Sequence, residues 1–246
     1  MDRDIIEALI RVVEVKDACT AAHTWRVALY TQLLSEAAGL DRDEVLRLMY
    51  AAVLHDIGKI DIPHRILTKP GRLTAAEFEI IKTHTILGYD RLRRMGETDP
   101  VTLALVRSHH ERLDGSGYPD GLSGAEIPTA ARCFAVIDTF DAMTSHRPYR
   151  RSVGPEAAEK ALAVLKAEAS TRYCPEAVEL LATRYECGEL DWILSYFNDE
   201  QPVASVSGYD APLIATAGRE LSRRWHSSEA SPFGPSRVVL MPPTVG

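Results

Sequence analysis

Residues 50–63, YAAVLHDIGKIDIP, form an apolar stretch that carries a histidine–aspartate pair. The apolar residues before the pair predict the last turns of a buried helix. Placing His55 and Asp56 at the end of such a helix costs free energy unless other groups compensate their polarity. A bound cation does this, because neutral imidazole and carboxylate are good ligands for divalent transition metals. The stretch therefore predicts the end of a buried helix and makes His55 and Asp56 candidate metal ligands.

The sequence around this stretch is helical in the same way. Apolar residues recur at spacings of three and four over residues 23–38 and 43–55, which indicates amphipathic helices. A capping-box pattern at Thr74 begins a further helix. Prolines of the kind that a first helical turn tolerates begin two more, over 155–165 and 175–185. Because no stretch shows convincing strand alternation, we predict an all-α helical bundle.

Two regions depart from the helical pattern. Residues 114–128, DGSGYPDGLSGAEIP, hold four glycines and two prolines and must form a loop. This loop follows a histidine pair directly, so it is a candidate rim of an active site. The last 46 residues, from 201, contain 17 proline, glycine and serine residues, which disfavours regular structure. We predict one domain over residues 1–187 and a C-terminal extension over 188–246, poorly structured from about residue 201.

Composition and charge narrow the class of protein. The chain has 246 residues, of which 46% are hydrophobic and 26% charged, as in ordinary soluble globular proteins. Its net charge of −7 disfavours non-specific binding to DNA or RNA. No uncharged apolar stretch is long enough to cross a bilayer. The four cysteines show no CxxC spacing and favour reduced thiols in a cytoplasm: Cys19, Cys133, Cys174 and Cys187.

Further histidines and aspartates strengthen the prediction of a metal site. The pair His109–His110 closes another apolar helix, His23 and His84 lie on two others, and Asp138 follows four apolar residues. Taken singly, a histidine on an apolar face is more often a satisfied core residue. An aspartate in a helix more often caps it, pairs with a cation or faces solvent. The joint pattern of five histidines and two aspartates in apolar sequence favours metal binding.

On longer motifs the chain resembles the HD-GYP family, a branch of the HD-domain metallohydrolases. The matching segments are HDIGKIDIP (55–63), ILTKPGRLT (66–74), HTILG (84–88), HHERLDGSGYPDGLSGAEIP (109–128) and VIDTFDAMTSHRPYR (136–150). The tripeptide GYP is residues 117–119. Motif similarity runs from about residue 17 to residue 150, and a weaker similarity of helical pattern reaches about residue 185. The resemblance implies an HD-domain helical bundle with the Gly-rich GYP loop beside a metal site.

The resemblance also implies the metals and their ligands. Seven residues would contact metal directly: His23, His55, Asp56, His84, His109, His110 and Asp138. Asp56 would bridge two divalent ions, either iron or manganese. Some family members carry a glutamate four residues before the position of His23 and bind a third metal, but this chain has Cys19 there. We therefore predict two ions, and the alternative is a third ion that the Cys19 thiolate would hold.

The implied activity is hydrolysis of the bacterial second messenger cyclic di-GMP to linear pGpG, with a further step to GMP left open. A hydroxide that bridges the two metals would attack phosphorus. Asp56 and Lys59 are the predicted catalytic residues, and Lys59 would contact the non-bridging phosphate oxygens. Tyr118 in the GYP loop is predicted to line the substrate pocket. The same loop also suits a protein partner surface or a purely structural role.

Four further residues are predicted to act around the substrate and the ligands. Arg147 and Arg150 match family positions that contact the phosphates of the ligand, although the neighbouring Arg151 also suits a solvated basic run. Asp17 and Asp141 match recurrent acids of the family and are predicted to orient imidazoles. Either of them also suits an ordinary helix cap or ion pair.

Two other functions compete with cyclic di-GMP hydrolysis. The first is a non-catalytic module that binds a cyclic dinucleotide or a signalling partner through the GYP loop. The second is hydrolysis of a hybrid cyclic dinucleotide, such as cyclic GMP–AMP, or of another phosphoester. The predicted ligands contact phosphate and not base, so they do not discriminate between these substrates. Because all seven ligand positions and Lys59 are filled, an enzyme is favoured over a binding module.

Overall fold

The computed structural model describes residues 18–145 and 155–196, and within them the chain is helical. Its helices are α1 (Ala18–Ala37), α2 (Arg42–Leu54), α3 (His64–Leu67), α4 (Ala75–Lys82), α5 (His84–Arg94), α6 (Pro100–Ser108), α7 (Thr129–Thr144), α8 (Pro155–Ala167), α9 (Pro175–Glu186) and α10 (Asp191–Tyr196). Short 3-10 turns cover Ile57–Asp61 and Gly124–Glu126. These two described ranges contain isolated β-bridges but no strand, which confirms the all-α prediction there. No helix among the described residues is both long and apolar enough to span a bilayer.

Local capping interactions begin the helices where the sequence predicts them. The α2 helix begins after Asp41, whose carboxylate accepts a hydrogen bond from the Glu44 backbone N–H at 2.9 Å. The Glu44 side chain accepts one from the Asp41 N–H at 3.0 Å. At α4 the Thr74 hydroxyl accepts from the Glu77 N–H at 3.3 Å, and Glu77 accepts from the Thr74 N–H at 2.8 Å. The predicted capping box at Thr74 is confirmed.

Two clusters of buried apolar side chains hold the helices together. The larger cluster joins α1, α7, α8 and α9, and in it Tyr30 packs edge-on against Phe140 with ring centroids 5.6 Å apart. The smaller cluster joins the end of α2 to α5 and α6 through Leu54, Ile57, Leu92, Leu103 and Val106. Leu54 and Ile57 lie on either side of the His55–Asp56 pair in the chain. Packing on both sides therefore holds this pair in place.

The packed helical unit continues past residue 187. Leu190 and Ile193 are fully buried in the larger cluster, and α10 contacts α1. The predicted extension therefore begins with residues that pack on the bundle, because Leu190 and Ile193, which lies on α10, add buried apolar surface to the core. The division into domains and the character of the tail from residue 201 stay predictions, since residues 197–246 lie outside the described ranges.

A close approach at Gly58 brings the turn after α2 against α5. A Cβ atom on Gly58 would overlap the carbonyl oxygen of His84 and lie 2.5 Å from the backbone nitrogen of Gly88. Only a residue without a side chain fits this contact. The contact brings His84, at the start of α5, beside the His55–Asp56 pair.

We expect Gly58→Ala to destabilise the protein by about 1–3 kcal/mol, because the added methyl group forces the turn and α5 apart. Urea unfolding followed by circular dichroism measures this loss. Gly71→Ala is the matched control, since its Cβ would meet nothing within 4 Å and only the positive φ of 103° is strained. A smaller loss for Gly58→Ala than for Gly71→Ala would contradict the close-packing explanation.

Candidate metal centre

Asp56 lies between two groups of histidines at the centre of the bundle. Its side chain is 6% exposed. One carboxylate oxygen, Oδ2, is 3.2 Å from Nε2 of His55, and the other, Oδ1, is 3.3 Å from Nε2 of His84. Two sets of side chains share it and could each hold a metal ion: His23, His55 and Asp56, and Asp56, His84, His109 and His110. A carboxylate shared in this way has the geometry of a bridging ligand.

Backbone carbonyl groups orient three of the imidazoles. Each of these rings bonds through Nδ1 to the carbonyl oxygen three residues earlier, at 2.6 Å for His55, 2.7 Å for His84 and 3.0 Å for His109. A carbonyl oxygen only accepts hydrogen bonds, so Nδ1 must carry the proton in each ring. In the neutral ring Nε2 then has a free lone pair, and it faces Asp56 or a neighbouring imidazole. These rings are therefore prepared to bind a cation.

A buried ion pair orients His23. Its Nδ1 donates to Asp141 Oδ2 at 2.7 Å, and Arg26 donates through Nε to Asp141 Oδ1 at 2.6 Å. Burial opposes ionisation of Asp141, but Arg26 and His23 hold the pKa of this carboxyl well below its usual range. Arg26 also donates to the Ser145 hydroxyl at 2.8 Å. The ionised Asp141 thus leaves Nε2 of His23 as the inward-facing atom.

The inward nitrogens approach each other too closely to be stable without positive charge. Nε2 of His23 is 3.1 Å from Nε2 of His55, and Nε2 of His84 is 3.4 Å from Nε2 of His109. Burial lowers the pKa of His84 and of His109, which favours their neutral, metal-binding form. Burial also opposes protonation of His55, yet the nearby Asp56 raises the pKa of His55. The cluster therefore favours a cation between these nitrogens, and its donor set fits a divalent transition metal.

Asp138 and His110, the other two of the seven predicted ligands, lie at the more exposed side of the cluster, and Asp138 belongs to neither of the two sets that could hold an ion. Asp138 Oδ1 is 3.5 Å from Nε2 of His23, and its Oδ2 is 3.7 Å from Nδ1 of His110. The side chain of His110 is 21% exposed and that of Asp138 is 13% exposed. Because Asp138 and Asp141 lie one turn apart on α7, the same helix face offers one carboxylate to the cluster and another to His23.

Lys59 and Tyr118 lie at the edge of the cluster. Lys59 is in the 3-10 turn after Asp56, and its ammonium group is 2.6 Å from Asp56 Oδ2. The ring of Tyr118 lies 4.8 Å from that of His110, at an angle of 33°. Of the other predicted residues, Asp17, Arg147 and Arg150 lie outside the described ranges, as does the side chain of Cys19. Their roles stay predictions.

Two buried charged residues at the site were not predicted from the sequence. Arg26 lies one turn after His23 on α1. A lone arginine directly before the apolar run VALY was the available signal.

Glu111 is 1% exposed and organises the GYP loop. Its carboxylate accepts backbone hydrogen bonds from Asp120 at 2.8 Å, Gly121 at 3.1 Å and Leu122 at 3.0 Å. An acidic residue directly before a loop rich in unpaired N–H groups was the signal for this role.

Comparison with known proteins agrees with this architecture. Residues 7–177 match the protein-family model described as HD domain. A Thermotoga maritima protein named cyclic di-GMP phosphodiesterase is 42% identical over 179 residues, which cover 72% of this chain and 47% of that protein. A Vibrio cholerae protein named 3'3'-cGAMP-specific phosphodiesterase 2 is 36% identical over 185 residues, which cover 75% of this chain and 35% of that protein. The chain thus spans less than half the length of both relatives.

A solved structure supports the fold. The crystal structure of a cyclic GMP-AMP-specific phosphodiesterase of V. cholerae aligns with a TM-score of 0.56 at 15% sequence identity. The alignment covers 92% of this chain and 61% of the other. At this identity the likeness shows a shared helical architecture.

We expect Asp141→Asn to weaken Mn(II) binding about 10- to 100-fold, because the carboxamide no longer fixes the ring of His23 as an ionised carboxylate does. Equilibrium dialysis with metal analysis measures the affinity, after circular dichroism has shown that the variant is folded. Asp61→Asn is the matched control, since Asp61 pairs with Arg91 at the surface. An unchanged Mn(II) affinity in folded Asp141→Asn would show that Asp141 does not support the cluster.

Proposed function

The chain belongs to the HD domain family, within which it carries the HD-GYP motifs, and from this premise we propose that it hydrolyses cyclic di-GMP to linear pGpG. The observation that carries the proposal is the sharing of Asp56 between two groups of inward-facing imidazoles. Such a site suits two divalent ions held by one bridging carboxylate. When bound, such ions lower the pKa of water and polarise phosphoryl oxygens. Hydrolysis of a phosphodiester is the chemistry that needs both effects.

The proposed ligand set divides between two ions. His23 and His55 would hold one ion, His84, His109 and His110 the other, and Asp56 would bridge them. Asp138 lies within 4 Å of both His23 and His110, so it can contribute from the open side. Mixed imidazole and carboxylate ligands suit iron or manganese. We propose these two metals, and two ions rather than three.

Other residues of the chain would contact the substrate around the cluster. The ammonium group of Lys59 lies beside Asp56 with 22% of its side chain exposed, so a phosphate oxygen that approaches the bridging carboxylate comes within its reach. A positive charge there would stabilise the negative charge that develops on the phosphate. The ring of Tyr118 lies 4.8 Å from that of His110, where it would limit the access of water from the loop side. Arg147 and Arg150 stay proposed phosphate contacts.

A hybrid cyclic dinucleotide is the second candidate substrate. The similarity to a relative named for cyclic GMP–AMP supports it, because the ligands of the cluster recognise phosphate and leave the bases free. Parallel turnover assays with cyclic di-GMP and 3'3'-cyclic GMP–AMP decide between the two. A higher kcat/KM for the hybrid would replace the first substrate and keep the reaction.

We expect Asp56→Ala to lose bound metal and turnover together, because the carboxylate shared by both groups of histidines is removed. The full chain is loaded anaerobically with Fe(II) or Mn(II), and metal content is measured beside cyclic dinucleotide hydrolysis. Asp61→Ala, five residues later, should keep both. Wild-type protein with bound metal and no turnover of either substrate would refute the proposed activity and leave a binding module.

We expect Lys59→Met to keep its metal and to lower kcat about 10- to 1,000-fold, because the charge on the phosphate loses its stabilising partner. Metal affinity should not fall, since the ammonium group 2.6 Å from Asp56 competes with a cation for the carboxylate. Lys160→Met is the matched control, because Lys160 pairs with Glu156 on the exposed face of α8. Loss of metal together with activity would assign Lys59 to the structure of the cluster.

A further inference from the structure

The α4 helix leaves a large aromatic ring exposed at the rim of the cluster. None of the eight residues of α4 is buried. Phe78 on this helix is 44% exposed, more than any other large hydrophobic residue among the described side chains. The capping box at Thr74 holds the start of the helix, so the ring is presented from a regular element. A single exposed ring is common, and its surroundings decide its significance.

A chain of aromatic rings connects Phe78 to the metal cluster. The ring of Phe78 lies 6.3 Å from that of Tyr118, at an angle of 83°. Tyr118 in turn lies 4.8 Å from the ring of His110. Both separations are within the range over which aromatic rings contact each other. The exposed face of Phe78 is therefore the outer end of an aromatic wall that begins at a predicted metal ligand.

A positive charge accompanies this wall. Nζ of Lys82 lies 5.3 Å from the centre of the Phe78 ring and 5.6 Å from that of the Tyr118 ring. The same ammonium group donates to Glu79 at 2.7 Å, which holds it near the rings. Exposed aromatic faces suit a nucleotide, because its bases stack on rings; Lys82, neutralised by Glu79, lies against the same rings.

We propose that Phe78 forms a stacking surface for a purine base of the cyclic dinucleotide substrate. This inference rests on the proposed function and deepens it. The ligands of the cluster and Lys59 contact phosphate, so any preference among bases must come from side chains farther out. Phe78 lies at the exposed end of the ring series, where a base that projects from a phosphate at the cluster can meet it. An aromatic face favours a purine over a pyrimidine, because the larger ring system offers more stacking area.

Steady-state kinetics on the full chain loaded with Mn(II) test the proposal with four variants. Phe78→Ala removes the ring, Phe78→Leu keeps an apolar side chain without an aromatic face, and Phe78→Trp keeps an aromatic face. Val164→Ala is the matched control, because Val164 is a 38% exposed apolar residue on α8. Each variant is assayed with cyclic di-GMP and with the pyrimidine analogue cyclic di-UMP, and its metal content is measured.

The expected result separates stacking from general packing. The KM for cyclic di-GMP should rise roughly 5- to 100-fold in Phe78→Ala and Phe78→Leu. Phe78→Trp and Val164→Ala should stay within about twofold of wild type, and the preference for the purine substrate should fall only in the Ala and Leu variants. An unchanged KM in Phe78→Ala would overturn the proposal, and so would a wild-type KM in Phe78→Leu. If Phe78→Ala abolishes self-association of the protein and leaves KM unchanged, the ring of Phe78 instead contacts a second copy of the chain.

A binding measurement keeps this test separate from the proposed function. If the wild type with bound metal hydrolyses neither cyclic di-GMP nor 3'3'-cyclic GMP–AMP, the proposed activity fails. Equilibrium dialysis of cyclic di-GMP against wild type and Phe78→Ala then tests stacking alone, and weaker binding by the variant supports it. Equal binding by the two proteins would overturn the stacking surface. No binding by wild type would overturn both proposals.

Discussion

The buried negative charge of Asp56 is the constraint on which the arrangement of this bundle depends. A carboxylate with 6% of its side chain exposed is strongly disfavoured unless positive charge or hydrogen-bond donors surround it. Here Lys59 approaches it from the rim, and the inward Nε2 atoms of His55, just after α2, and His84, at the start of α5, face its two oxygens, where a bound cation would supply further positive charge. Burial opposes its ionisation, but His55 and Lys59 hold the pKa of Asp56 well below its usual range. The anion and the inward nitrogen atoms of separate helices are therefore best stabilised together by a cation between them.

The groups that orient the imidazole rings differ from the helix packing that brings the rings together. Backbone carbonyl groups accept hydrogen bonds from Nδ1 of His55, His84 and His109. Asp141, which is paired with Arg26, accepts the hydrogen bond from Nδ1 of His23. The close contact at Gly58 lets the turn after α2 reach α5. Each of these contacts uses the backbone or a buried ion pair, so groups other than a metal ion direct the nitrogens inward. Such preorganisation reduces the reorganisation that metal binding would otherwise require.

Elements at the rim, outside the bundle core, lie beside the cluster where the proposed substrate would approach. The GYP loop is held by the buried Glu111, and it places Tyr118 over His110. The α4 helix carries Phe78 and Lys82 beyond Tyr118. Under the proposed function, substitutions on these elements would change which base is accepted without changing the proposed metal ligands. This separation is consistent with relatives whose names record different cyclic dinucleotides.

The helical class, the capping box at Thr74 and the identity of the clustered histidines and aspartates could all be predicted from the sequence. Each depends on residue type and spacing along a short segment, and long ordered motifs supported the ligand set. Residue type alone marked Arg26 and Glu111 as unusual, but their partners were not predicted, because these lie 115 residues away in one case and across a loop of 9 to 11 residues in the other. The sequence also did not predict the inward direction of each Nε2 or the series of aromatic rings that ends at Phe78. Only the tertiary structure decided these, because distances between helices follow from the packing of the whole chain rather than from any one segment.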